Sequence, residues 1–147
     1  MAIALQEAEA AALRGEVPVG AALFDRAGAL IAANGNRIIG LKDPTAHAEL
    51  LVIREAARIL GSERLVGTSL VVTLEPCAMC AGAISLARIA RLVFGAPDAK
   101  AGGVIHGAKV FEQPTCHHRP IVEGPVGPDA CGDILKTFFR ARRADRQ

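Results

Sequence analysis

Ser69-Leu70-Val71-Val72-Thr73-Leu74-Glu75-Pro76-Cys77-Ala78-Met79-Cys80 carries the strongest structural signal in the chain. Six β-favouring residues run without a charge, as in a central strand covered on both faces. Pro76 then marks a turn, and the uncharged stretch from Cys77 to about Ala87 predicts a buried helix. A covered strand passing directly into a buried helix is the unit of an α/β fold.

The flanking segments repeat that alternation. Residues 2 to 14 predict a short Ala- and Glu-rich helix ending at Gly15. Val17 to Phe24 and Ala29 to Ala33 predict two strands joined as a hairpin through Asp25-Arg26-Ala27-Gly28. Asp43-Pro44-Thr45 offers a capping residue and a proline suited to a first helical turn. Leu50, Ile53, Ala57 and Leu60 then recur at helical spacing up to Gly61, which puts His47 and Glu49 in the first turn of that helix. Leu92-Val93-Phe94 predicts another strand, ended by Gly95. Residues 96 to 128 read mostly as loop, with a short strand near Ile121-Val122. A final helix over about 130 to 143 places Ile134, Leu135, Phe138 and Phe139 on one face. With no internal repeat, residues 1–147 are expected to form a single α/β domain.

Composition narrows the class. Apolar residues make up 51% of the chain, which excludes a disordered protein, and five Phe with no Trp or Tyr leave the core to Ala, Leu, Ile and Val. The near-balanced charge of +2 does not by itself indicate nucleic acid. Residues 1–7 lack the basic and apolar regions of a signal peptide, and the uncharged run from Pro76 to Ala87 is too short to span a bilayer. Four cysteines without a secretion signal suggest a reducing, cytoplasmic setting, where C-x-x-C denotes metal or redox chemistry.

His47 and Glu49 combine with Pro76-Cys77-Ala78-Met79-Cys80 into H-x-E…P-C-x-x-C. One neutral imidazole and two thiolates make a three-ligand zinc site with an open fourth position. Cys77 and Cys80, three apart at a helix start, face the same way, and a helix N-terminus favours the thiolate. Water on such a zinc has a pKa of roughly 7, and Glu49 can move its proton to a substrate and help protonate a departing amine. Cys77-x-x-Cys80 alone also fits a redox pair, or a closed structural site completed by His47 and by Cys116 or His117. Glu49 separates these readings, because a structural site has no use for it.

The residues around the motif resemble the cytidine-deaminase superfamily, and within it the bacterial tRNA adenosine deaminases, whose zinc-deaminase signature is the one quoted above. The similarity runs almost end to end: Glu16-Val17-Pro18-Val19-Gly20-Ala21, Asn36-Arg37, Asp43-Pro44-Thr45-Ala46-His47-Ala48-Glu49, Thr73 to Ala81, Arg88 to Ala96, and Phe138-Phe139-Arg140-Ala141-Arg142-Arg143. It implies an α/β/α three-layer sandwich with a central mixed sheet of about five strands, assembled as a homodimer. It also implies one Zn2+ per subunit held by His47, Cys77 and Cys80, with Glu49 as proton shuttle. The implied reaction converts the wobble adenosine of a tRNA anticodon stem-loop to inosine, with Asn36, Ala48 and Asp98 contacting the substrate. Ile84-Ser85-Leu86-Ala87, Gly102 to Gly107 and Pro114 to Arg119 depart from part of the family. Cys116, His117 and His118 read as loop or substrate contacts rather than a second metal site, and Cys131 as a small buried residue. Lys136, Arg140, Arg142, Arg143 and Arg146 could meet RNA phosphates. Two rivals remain at this level: a deaminase of free bases or nucleosides with the same metal chemistry, and a zinc-stabilised RNA-binding module without activity.

Overall fold

Asp25 closes the first hairpin. Its N–H donates to the Ala29 carbonyl at 2.8 Å, its Oδ1 accepts from the Ala29 N–H at 2.9 Å, and Gly28 completes the turn at φ +88°. In the computed structural model, which describes residues 1–147, this hairpin joins β1 (Gly20–Phe24) to β2 (Leu30–Gly35). The remaining elements are α1 (Ala2–Leu13), α2 (Ala48–Leu60), β3 (Ser69–Leu74), α3 (Ala78–Leu86), β4 (Arg91–Ala96), β5 (Ile121–Glu123) and α4 (Pro128–Asp145).

The strands form one mixed sheet in the order β2-β1-β3-β4-β5. β1 runs antiparallel to β2 and β3, whereas β3, β4 and β5 are parallel. As expected for a run covered on both faces, β3 is the middle strand. α1 and α4 lie against one face of the sheet and α2 and α3 against the other, giving the expected α/β/α sandwich. Leu23, Leu70, Val72, Leu92 and Phe94 are fully buried between the layers.

Two boundaries move for identifiable reasons. β1 begins at Gly20 rather than Val17, because Pro18 has no N–H to give a ladder and the Gly20 N–H turns to Thr73 Oγ1 at 3.1 Å. α2 begins at Ala48 rather than near Thr45. The Asp43 carboxylate is spent on the Thr45 N–H and hydroxyl at 2.8 and 2.7 Å, forming a turn ahead of the helix instead of capping it. Gly61 ends α2 in the left-handed conformation, φ +64°, as its position predicts.

α1 shows why its inner face is alanine. A Cβ on Gly20 would sit 1.9 Å from the Ala4 carbonyl oxygen, so helix and strand backbones are in direct contact across Ala4, Ala8 and Ala11. α3 is buried through Cys80, Ala81, Ile84 and Ser85 but not throughout, since Met79 is 38% and Leu86 78% exposed. No helix is long and apolar enough to cross a membrane.

Candidate metal centre and active site

The site forms at the carboxyl ends of the parallel strands β3 and β4, the usual ligand position in such sheets. The register pairs Leu74 with Ala96, so the residues following β3 and β4 emerge side by side. Pro76 redirects the chain from β3 into α3, and Cys77 becomes the residue immediately before that helix, with φ −70° and ψ 172°. His47 holds the same position before α2, with φ −71° and ψ 149°. Both are N-caps without a side-chain capping bond, and their side chains turn towards each other.

His47 Nδ1 lies 3.7 Å from Cys77 Sγ and 3.6 Å from Cys80 Sγ, and the three donor atoms all fall within 4.8 Å of one another. A tetrahedral ion with Zn–S of about 2.3 Å and Zn–N of about 2.0–2.1 Å places sulfur and nitrogen about 3.6 Å apart, so the donor set fits zinc. The thiol of Cys80 and the imidazole of His47, both hydrogen-bonded to Cys77, pull the Cys77 pKa down to about 4. Cys80 is pushed up by its bond to Cys77 and by burial. The His47 imidazole is raised by its bond to Cys77, against the opposing effect of burial.

Glu49 sits one turn-step into α2 and is 3% exposed. Burial raises its pKa, which brings a carboxyl group towards the range useful for accepting and returning protons near neutral pH. Together with His47 and Cys77 it lines a cavity of about 220 Å³, whose walls include Asn36, Ile38, Leu74, Glu75 and Asp98.

Asn36 enters the site from the loop after β2. Its Oδ1 accepts from the Ala48 N–H at 2.8 Å, which fixes the amide orientation and caps α2 in place of Asp43. Ala48, expected to contact substrate, is fully buried with its N–H taken by Asn36, and it is not among the residues lining the cavity. Asp98 turns Oδ1 back onto the N–H groups of Lys100 and Ala101 at 3.1 and 3.0 Å while facing the cavity. Cys116, His117 and His118 stay apart from the metal cluster. Cys116 donates to the His118 carbonyl at 3.2 Å, and His118 Nε2 lies 2.7 Å from the Ile89 carbonyl. No fourth ligand from this loop closes the site, which disfavours the structural-zinc reading. Cys131 is fully buried, as expected.

Two buried acids escape a reading of motifs. Glu16 accepts from the N–H groups of Ile39 and Gly40 at 2.9 and 3.0 Å, and Glu75 accepts from a second loop. Burial opposes ionisation of Glu75, but the backbone N–H of Asp98, the His106 side chain and the N–H groups of Val104 and Ile105 outweigh it and hold its carboxyl below the usual range. For Glu75 the available signal was a charge placed directly at the end of an uncharged strand.

Residues 1–96 match the family model of the cytidine and deoxycytidylate deaminase zinc-binding region. The chain belongs to that family. The matched residues include His47, Cys77 and Cys80, and zinc is the cofactor of this deaminase. A tRNA-specific adenosine deaminase from Agrobacterium fabrum is 53% identical over 145 residues, covering 99% of this chain and 95% of the relative. A solved structure from work on A-to-I editing by tRNA deaminases at the wobble position of transfer RNA superposes with a TM-score of 0.90 at 53% identity, covering 92% of this chain and 97% of that one. The guanine deaminase from Nitrosomonas europaea has a TM-score of 0.81 at 25% identity, covering 93% and 81%. The fold is thus shared across substrates, whereas the sequence lies nearer the tRNA-specific enzymes.

Proposed function

We propose that this deaminase hydrolyses the wobble adenosine of a tRNA anticodon stem-loop to inosine, releasing ammonia. The observation that carries this reading is the 53% identity to a tRNA-specific adenosine deaminase across nearly the whole of both chains. A physical feature supports it. A groove of about 800 Å³ between α4 and the 97–101 loop adjoins the cavity through Val17, Leu74, Asp98 and Ala101. Lys100, Lys136, Arg140 and Arg143 line that groove, and Phe139 offers a ring that is 41% exposed. Four cations beside a base-sized cavity suit a strand whose phosphates run past one extruded base, and a free base has no need of them.

In this reading His47, Cys77 and Cys80 hold the zinc. When bound, the metal acts as a Lewis acid and makes water a usable nucleophile near neutral pH. Glu49 would carry a proton from the attacking water to the purine ring and a second to the departing amine; overall one C–O bond forms, one C–N bond breaks and ammonia leaves. Burial suits Glu49 to both directions of transfer. The Asn36 Oδ1 is committed to the Ala48 N–H, which leaves its amide N–H groups to donate to the base, and Ala48 serves by orienting Asn36 rather than by touching the substrate. Asp98 borders both cavity and groove and meets the nucleotide as it enters.

The 147 residues act as one catalytic domain in the cytoplasm, in keeping with four unpaired cysteines. The uncharged outer face of α3, with Met79 and Leu86 exposed, suits burial against a second copy in a homodimer.

The test sets a tRNA anticodon stem-loop against free guanine, cytosine and adenosine, with inosine and ammonia both measured. Turnover of the stem-loop is expected, and turnover of the free bases alone would exclude the tRNA reading. Glu49→Ala is expected to keep one zinc and the fold while losing ammonia release by at least about a hundredfold; a fully active variant would exclude the proton-transfer role.

A further inference from the structure

Glu75 is a charge with no function in the scheme above, yet its side chain is wholly excluded from solvent and lines the reaction cavity. An ionised carboxylate in such a place persists only when it is fully hydrogen-bonded. Oε1 accepts from the Asp98 N–H at 3.0 Å and faces His106 Nδ1 at 2.8 Å. Oε2 accepts from three consecutive N–H groups, those of Val104, Ile105 and His106, each at 3.1 Å. Four of the five partners are backbone groups of one loop, gathered from both of its ends into an anion-binding concavity.

The same loop also rests on the metal-bearing turn. The Gly103 N–H donates to the Pro76 carbonyl at 2.8 Å, and a Cβ on Gly103 would come within 2.5 Å of the Ala78 nitrogen. A Cβ on Gly102 would lie 2.3 Å from Glu75 Oε2 and 2.4 Å from the Asp98 carbonyl oxygen. The Gly102-Gly103 pair therefore exists to let the loop close over Glu75 and against the first turn of α3. Asp98, whose N–H is held by Glu75 and whose carbonyl accepts from the Gly102 N–H at 2.9 Å, has its place beside the cavity set by this arrangement.

We propose that Glu75 is a positioning residue for deamination, with His106 as its side-chain partner: it ties the loop of residues 97–107 to the metal-bearing turn and so fixes Asp98 at the substrate. The proposal rests on the deaminase reading and on Asp98 as a substrate contact.

The test uses the zinc-loaded enzyme and the variant Glu75→Gln, which keeps the shape and replaces one acceptor by an amide donor. The variant should retain one zinc. Its amides at Asp98, Val104, Ile105 and His106 should exchange with deuterium about tenfold faster or more, while those of β3 and β4 keep their protection. kcat/KM on the stem-loop should fall by about tenfold or more. Asp98→Ala should lower the same quantity in the parent enzyme and add little in the Glu75→Gln background, because the two residues act on one contact. His106→Asn, which retains a donor, should stay close to the parent, and His106→Ala should not. Unchanged amide exchange, faster exchange with unchanged kcat and KM, or additive effects of Glu75→Gln and Asp98→Ala would each overturn the proposal. Should Glu75→Gln fail to fold, the His106 pair and the same exchange measurement decide it. If the parent enzyme turns over free bases alone, the tRNA reading falls, and the Glu75→Gln comparison run on the accepted base still tests the positioning role.

Discussion

Cys77 occupies the point where chain direction, helix start and ligand chemistry meet. Its sulfur must be a thiolate to hold a soft metal, and the donors around it already favour that form. Cys77→Ser substitutes a neutral, weakly ligating hydroxyl. This variant is expected to lose its zinc in elemental analysis and, with it, the roughly 2.7 kcal/mol or more that a ligand at a hundred times its Kd adds to the folded state. Cys131→Ser, at a buried cysteine away from the cluster, is expected to keep its zinc, and loss of metal there would mean that the cluster is not the zinc site. The metal donors and Glu49 were legible from residue type and spacing, since few side chains bind zinc and fewer arrange a carboxylate beside it. Glu16 and Glu75 were not legible. Their partners are backbone N–H groups 23 to 31 residues further along the chain, and a backbone donor leaves no signature in a sequence.

Helix starts were harder to read than helix bodies for a related reason. Asp43-Pro44-Thr45 has the composition of a cap, yet the side chain that satisfies α2 comes from Asn36, across the site. The Asp43 carboxylate is taken up by Thr45, so the Ala48 N–H is left to a distant acceptor and tertiary structure decides the helix start. Gly61, by contrast, ends α2 where the sequence places it, because a left-handed residue is a local requirement. Gly20 makes a prediction at this scale. With Ala4 O 1.9 Å from the site of a Cβ, Gly20→Ala must push α1 away from β1, at a cost of about 2–4 kcal/mol read from the urea midpoint. Gly132→Ala, inside α4 with nothing within 4 Å of the added carbon, is expected to stabilise by about 0.5–1 kcal/mol. Equal responses at the two positions would contradict the packing of α1 on the sheet.

In the whole molecule, the alternation of strands and helices announced an α/β sandwich, and the uncharged, β-favouring run of Ser69–Leu74 correctly marked its middle strand. The lateral order and the division of helices between layers depend on which apolar faces meet, and no single segment encodes that. β5 is the case in point. Three residues near Ile121 were recognisable as a strand, but only the assembled sheet shows that they form its open edge, with Ile121 69% and Val122 37% exposed. An uncovered edge is a template for further strands from other chains. Here it is kept short, bracketed by Pro120 and Pro125, and its last residue carries a charge paired with Arg91 at 2.5 Å. Glu123→Val removes that charge and extends the apolar edge. We expect this variant to keep its turnover at low concentration yet self-associate on concentration, seen as rising light scattering, whereas a variant that stays monodisperse would show the edge to be protected otherwise. Glu123 is not among the residues lining the reaction cavity, and the role expected of it is colloidal: a charge that keeps an open sheet edge from recruiting neighbours.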